Sequence, residues 1–348
     1  MSVSSVPCAG PFPSVVVIIP FYNGSGFIER SIQSVYAQTI PVQEIIVVND
    51  GSRPEERLAL DELVLRYPFR IVDQDNRGQG AARNAGVTQS SAEFICFLDQ
   101  DDFFLETHCE TLVRALPCDD PRFGFVYADV YEANGAGDIV QHHLVKEHAI
   151  DHPKRSVFEM IAGDMFVLPS ASLIARRAFV AVAGFDEQFM GFEDDDLFLR
   201  IFRAGFTNYF VDKAVTVWCI HTASTSFGIR MSRSRFKYFK KLVAMFPDEP
   251  LRRRYCLRDY LVPRFGVLFI NDVIKACVNG NAEHRAETQA MLEDYAAIIA
   301  ANSHVRNSAK MQFRFATLVL RYTPDKVLRW VFSIIDDRVL NRVRRFLQ

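Results

Sequence analysis

Three carboxylates crowd into four residues where the apolar run Phe94-Ile95-Cys96-Phe97-Leu98 gives way to Asp99-Gln100-Asp101-Asp102. Acids this close repel one another and need a cation or hydrogen-bond donors to stay ionised. A second crowd, Glu193-Asp194-Asp195-Asp196, precedes Leu197, Ile201 and Ala204, which share one helical stripe. The first group suits a divalent cation held by hard oxygen ligands. The second puts Glu193 and Asp194 at the rim of a helix N-terminus, where a general base reaches bound substrate. Each group also has a plainer reading. Asp caps helices, and acids in a first turn are stabilised by free N–H groups and the helix dipole. That explains one or two acids well and four in succession poorly.

The elements that must carry these groups can be read from the hydrophobic runs. Residues 15–20, 44–48 and 94–98 are apolar runs of the kind a parallel sheet covers on both faces, and 69–72 is a shorter fourth strand. Helical spacing over 27–38, a polar helix over 54–67 and a small-residue helix over 81–88 separate them. This β-α alternation predicts a parallel sheet flanked by helices, with right-handed crossovers that bring every strand C-terminus to one edge. Pro20 to Asn23, Asp50, the loop 76–80 and the Asp99 turn then face one crevice. Further on, the chain predicts helices at 105–116 and 177–182 and strands at 123–130, 166–174, 207–211 and 214–218. Residues 141–153, with four of the eight histidines, read as a mobile loop over the crevice. His148 and His152, four apart, would space a zinc pair, but the segment has neither strong periodicity nor a cysteine.

Bulk properties exclude several classes. A chain of 348 residues with 49% hydrophobic and 24% charged composition is globular, and a net charge of −2 argues against a general nucleic-acid binder. Seven cysteines without a CxxC pair point to reduced, packed thiols in a cytosolic protein. No run reaches the roughly 20 apolar residues that span a bilayer. The start of the chain has no basic region followed by an apolar run, so no signal peptide is expected. Residues 1–13 read as a flexible lead-in.

Five segments together resemble the family 2 glycosyltransferases of GT-A fold: Val17-Ile18-Ile19-Pro20-Phe21-Tyr22-Asn23, Val47 to Ser52, Asn76 to Gly86, Phe97 to Asp102 and Gly191 to Arg200. The short Gly184-Phe185-Asp186-Glu187 is similar to the family segment ahead of the last. The resemblance implies an α/β fold with a Rossmann-like, mostly parallel sheet. It implies a GT-A domain over 14–228, with a nucleotide-binding half at about 14–102 and an acceptor half at about 103–228. A basic, mainly helical region at 229–348 lies beyond its reach. The implied reaction is inverting transfer of a sugar from a nucleotide-sugar donor, often a UDP-sugar, to a hydroxyl of a glycan or lipid-linked acceptor. Pro20, Phe21, Asn23, Asp50, Gly80, Arg83, Asp99 and Gln100 would border the donor, with Asp50 at the base, Arg83 near the diphosphate or base, and Asp99 on the ribose side. Asp101, with Asp99 and His221, would hold Mg²⁺ or Mn²⁺. Asp194 would be the catalytic base and Glu193 the runner-up, with the register among Glu193, Asp194, Asp195 and Asp196 left open. Cys219 stands where the family often has an arginine, which removes positive charge near His221.

Other readings compete. Gly78-Gln79-Gly80 is similar to a dinucleotide fingerprint, but Arg83 replaces the third glycine and the loop follows the third strand instead of the first. A phosphatase with Asp99 as nucleophile lacks a basic or hydroxyl partner close behind. A non-catalytic carbohydrate-binding module is the alternative from another class, and it would not need both acidic clusters. Residues 230–264 carry eleven Lys or Arg against three acids. This is either a solvated helical face or a contact for anionic groups such as a phosphorylated acceptor or a membrane surface. The segment 326–347 mixes Val327, Trp330, Val331 and Ile334 with five arginines. It suits an oligomer or packing contact, or peripheral attachment at the inner face of the membrane.

Overall fold

The computed structural model of the chain describes residues 12–148, 151–220 and 228–334. These fall into two compact units, one drawn from Met1–Val157 and Asp164–Ser224, the other from Phe158–Gly163 and Thr225–Gln348. The expectations for His221, for residues 1–11 and for residues 335–347 fall outside the described residues.

The first unit begins β1 (Val15–Phe21), α1 (Ser25–Tyr36), β2 (Glu44–Asp50), α2 (Pro54–Val64), β3 (Arg70–Gln74), α3 (Gln79–Thr88) and β4 (Phe94–Phe97). The fully apolar runs become strands buried along their whole length, as β1 and β4 show. Then come β5 (Phe103–Phe104), α4 (His108–Arg114), β6 (Phe123–Asn134), β7 (Ile139–Gln141) and α5 (Leu144–His148), while α6 (Val157–Ala162) falls almost wholly in the second unit. The sheet is completed by β8 (Ser172–Ala175), α7 (Arg176–Ala181), α8 (Glu193–Arg203) and β9 (Thr207–Ile220). Strand order is β3-β2-β1-β4-β8-β6-β9-β5, with β7 on β6. Pairing is parallel from β3 through β4 and between β6 and β9, and β8 is inserted antiparallel. Ile18 of β1 lies opposite both Ile46 and Phe97, so β1 and β2 run on to Phe21 and Asp50 beyond the level at which β4 ends.

Four local expectations change. The strand expected over 166–174 shrinks to β8, because Phe166 has φ +47° and Pro169–Ala171 forms a 3₁₀ turn. Pro169 also has no N–H to give a ladder. The two strands expected over 207–218 are one, β9, with register shifts opposite Ala128 to Val130. The helix expected from 105 starts at His108, because Phe103–Phe104 pairs with β9 and the Leu105 N–H bonds to the Val215 carbonyl at 2.9 Å. Within 141–153, α5 replaces an open loop and buries Leu144 and Val145. The zinc spacing is not realised there. His148 Nδ1 lies 3.0 Å from the Leu144 carbonyl, whereas His152 Nδ1 meets the Tyr127 hydroxyl at 2.6 Å.

Cys96, Cys109, Cys219, Cys256 and Cys277 are buried free thiols, as expected. Cys118 is disulfide-bonded, against the expectation of reduced thiols throughout. Sequence spacing carried no sign of it, because a disulfide depends on Cα proximity in space.

The second unit is helical: α9 (Ile229–Met245), a π-helical turn at Leu257–Leu261, α10 (Val262–Val278), α11 (Ala282–Ala301), α12 (Asn307–Tyr322) and α13 (Asp325–Ile334). Its core is aromatic, with Phe239, Phe265, Phe269 and Tyr295 in mutual ring contact. Part of the basic stretch 230–264 is ion-paired. Arg233 binds Glu287 at 2.6 Å, Arg235 binds Asp272, and Arg258 binds Asp259 at 2.6 Å.

Candidate active site

The order 3-2-1-4 makes the gap between β1 and β4 the point where the chain reverses its direction of winding, which is where open α/β sheets bind ligands. The loops after those two strands are joined there. The Gln100 side chain accepts from Tyr22 N at 2.9 Å and donates to Tyr22 O at 3.2 Å. Residues 99–102 form a tight turn closed by Asp102 N to Asp99 O at 3.1 Å. From α1, Ser31 Oγ lies 2.6 Å from the Asp102 carbonyl and 2.7 Å from that of Gln100, and Arg30 Nη2 donates to the Asp101 carbonyl at 2.7 Å. Sequence reading passed over Arg30 and Ser31. They act on carbonyls from 69 to 71 residues away, and a polar side chain on a helix gives no sign of that.

The β2 end meets the same edge. Asp50 is buried, and its carboxylate accepts from Arg77 N at 2.9 Å, Gly78 N at 2.8 Å and the Gln74 amide at 2.7 Å. Asp50 thus anchors the loop that leads into α3. Gly51, at φ +70°, has no room for a side chain, since an added Cβ would lie 2.7 Å from Asn76 N. Asn23 is locked from both sides: its N–H donates to Ser52 Oγ at 3.0 Å and its Oδ1 accepts from Arg53 N at 3.0 Å. Pro20 and Phe21 are buried, Phe21 completely, so the side chain this loop offers to solvent is Tyr22, 46% exposed. The Phe21 ring itself belongs to the core. Gly80 is buried in the first turn of α3 against Phe185.

Arg83 ties the two acidic clusters together. It is 2% exposed, its Nη2 donates to Asp99 Oδ1 at 2.6 Å, and its Nη1 reaches Glu193 Oε1 at 3.4 Å. Burial works against its charge, but Asp99, Glu193 and Asp194 more than offset that and raise its pKa. Its guanidinium also lies over the rings of Phe97 and Phe185. Gln79 gives Asp99 Oδ1 a second donor at 2.6 Å.

The four acids at the start of α8 have separate tasks. Glu193 is buried, held by Arg83 and by Gly191 N at 2.7 Å. Asp196 is fully buried and bonds Arg200 Nε at 2.7 Å, and Arg200 in turn clamps the Val182 and Gly184 carbonyls. Asp195 is also buried. Asp194 is half-buried, with Oδ1 accepting from Asp195 N at 2.8 Å. Burial, together with Glu193, Asp195 and Asp164, pushes its carboxyl well above the ordinary range. Phe192, at φ +64°, sits in the left-handed region just before these acids, a conformation costing on the order of 1–3 kcal/mol that clusters at functional sites.

In the first cluster, Asp102 is buried and accepts from Cys219 N at 2.9 Å. Burial, then the charges of Asp99 and Asp101, push its carboxyl well above the usual range. It acts as a strut between the turn and β9. Asp101 and the second oxygen of Asp99 offer hard carboxylate oxygens of the kind Mg²⁺ or Mn²⁺ takes, so the residues present fit such an ion. A different trio, Asp129, His143 and Asp212, brings its ligand atoms within 4.8 Å of one another. Asp129 pairs with Ala214 and Asp102 bonds at residue 219, so the two places lie about 17 Å apart along β9. Lys146 already sits 2.5 Å from Asp212 in that trio.

Residues 16–181 match the family model for glycosyl transferase family 2. The putative glycosyltransferase EpsH of Bacillus subtilis (strain 168) is 30% identical over 151 residues, which is 42% of this chain and 43% of that protein. The chain therefore spans under half the length of that relative. S. aureus TarS 1–349 in complex with UDP-GlcNAc superposes with TM-score 0.62 at 16% identity, over 92% of this chain and 91% of that one. The mannosyltransferase PcManGT from Pyrobaculum calidifontis, in complex with GDP-Man and Mn²⁺, superposes with TM-score 0.56 at 20% identity, over 94% and 86% of the two chains. At these identities the two structures speak for the shared fold.

Proposed function

Because its residues 16–181 make this chain a member of glycosyl transferase family 2, we propose that it moves a sugar from a nucleotide-sugar donor to a hydroxyl group of a glycan or lipid-linked acceptor. The observation that carries this reading is the Arg83 bridge, which holds an acid of each cluster at one end of the sheet.

Asp194 takes the proton of the acceptor hydroxyl. As that oxygen bonds to the anomeric carbon, the bond to the nucleoside diphosphate breaks and its electron pair leaves with the diphosphate. Attack opposite to the leaving group inverts the centre and needs no protein nucleophile. A carboxyl held above its ordinary pKa is better matched to this proton than an unperturbed one. Glu193 is a weaker candidate because Arg83 and Gly191 N already occupy it.

Donor contacts fall to the strand-end loops. Asp50 and Asn23 hold the 21–24 and 76–80 loops in place, Tyr22 offers an exposed ring, and Asp99 keeps one oxygen free of Arg83 and Gln79. Asp101 and Asp99 would hold Mg²⁺ or Mn²⁺, which when bound supplies positive charge against the departing diphosphate.

Donor-panel hydrolysis by the purified protein, with Mn²⁺ and then with a chelator, tests the reading. Release of nucleoside diphosphate from one donor, lost on chelation, supports it. Intact glycan binding without hydrolysis of any nucleotide sugar would make the chain a binding module.

A further inference from the structure

Among the described residues of the second unit, one helix face carries a run of exposed apolar side chains. On α12, Phe313 and Leu320 are buried, while Met311, Phe315, Leu318 and Tyr322 are 70%, 70%, 47% and 73% exposed. The spacing of 311, 315, 318 and 322 places all four on one stripe, opposite the buried pair. Beyond Pro324, α13 adds Val327 and Trp330 to the exposed apolar surface. Monomeric proteins seldom leave four large side chains aligned in this way unless something covers them.

Charge says what covers them. Between residues 307 and 334 stand Lys310, Arg314, Arg321, Lys326 and Arg329 against a single acid, Asp325, which is already bound to Arg285; Arg321 is itself paired with Glu293 of α11 at 3.3 Å. On the helical wheel Lys310 and Arg314 form a short cationic row along one side of the stripe. An isologous contact between two copies would set this cationic row against itself. Residues 335–348 carry four arginines and two aspartates, so they too are cationic and poorly suited to lie on it. An anionic bilayer matches both features at once, with phosphates for the row and acyl chains for the stripe. Tyr and Trp belong where one end of the side chain is wet and the other apolar. Among the described residues no helix is long and apolar enough to cross a membrane, so the contact is interfacial.

We propose that the exposed face of α12, continued into α13, is a docking surface for an anionic lipid bilayer. This stands apart from the glycosyl-transfer reading and does not depend on it.

Cosedimentation of the full chain with vesicles tests it. Vesicles containing phosphatidylglycerol should bind the protein, pure phosphatidylcholine vesicles should not, and 0.5 M salt should release most of what is bound. Lys310→Gln with Arg314→Gln should weaken partitioning roughly 30-fold. Phe315→Ser with Tyr322→Ser should weaken it by a similar factor and leave the circular dichroism spectrum unchanged, since both side chains are exposed. Equal binding to neutral vesicles, or none to either kind, overturns the proposal. So does light scattering that reveals a dimer dissociated by the Phe315/Tyr322 pair, which would make the face a contact between copies. Binding that survives both double substitutions and is lost only when residues after 334 are removed would overturn α12 as the surface.

Discussion

Among the four consecutive acids of α8, Asp194 is the half-buried one whose carboxyl is pushed up by burial and by Glu193, Asp195 and Asp164. Asp194→Asn is expected to lower turnover by about 10²–10⁴-fold while donor affinity, read by calorimetry, stays within about twofold. The base must be deprotonated to work, so the rate rises with pH through its raised pKa. The acid limb of kcat/KM should therefore sit above the ordinary carboxylate range. An acid limb near pH 4 would remove Asp194 from the role. Arg83 makes a stability prediction. Arg83→Met strands Glu193 and Asp99 beside a buried apolar stem, and urea unfolding should show a loss of about 3–5 kcal/mol. At this scale the residue types were legible in the sequence, but the division of labour within each cluster was not. Four acids in a row look alike until Arg200 claims Asp196 and Arg83 claims Glu193.

At the scale of elements, α3 lies against β1 and β2 through a glycine. A Cβ on Gly86 would come within 2.5 Å of Ile18 Cγ2 and 3.1 Å of Val48 Cγ2. Gly86→Ala should cost about 1–3 kcal/mol by overpacking and shift α3, which carries Arg83 and Gln79, so donor affinity should fall with stability. The start of α4 makes a pH prediction. His108 is fully buried and stacked on Phe104, and burial pushes it down to about 3. Its folded pKa lies below its unfolded value, so the stability it contributes is present above about pH 6.5 and is lost as pH falls towards 3. Denaturation curves should lose up to about 1.4 kcal/mol per pH unit from this residue, a slope absent in His108→Gln. The strands of continuous apolar residues were legible because burial on both faces leaves no polar break. The short β8 and the late start of α4 were not, because they turn on the positive φ of Phe166 and on the pairing of Phe103–Phe104 with β9.

For the whole molecule, the nucleotide-sugar reading makes activity conditional on an ion. Transfer or donor hydrolysis should vanish with a chelator, return with Mn²⁺ or Mg²⁺, and respond only weakly to either ion in Asp101→Ala. Persistence of full activity in the chelator would remove the ion from the site. Cationic runs also need the fold before they can be read. In the run 230–264, Arg233, Arg235 and Arg258 turn out to be paired with Glu287, Asp272 and Asp259, as Arg321 of α12 is with Glu293. The less basic α12 is the helix that keeps an exposed apolar stripe.

By itself, the sequence determined the alternation of buried strands and helices, and with it the edge on which Asn23, Asp50 and Asp99 end. Such runs report on their own local burial, and crossover handedness does the rest. Tertiary structure alone decided which acids are struts and which carboxyl is pushed up by its surroundings. The deciding partners are distant in the chain: Arg83 meets Glu193 across 110 residues and Asp102 meets Cys219 across 117. A carboxylate's pKa and its freedom to accept a proton depend on what surrounds it in space, and no spacing along the chain carries that.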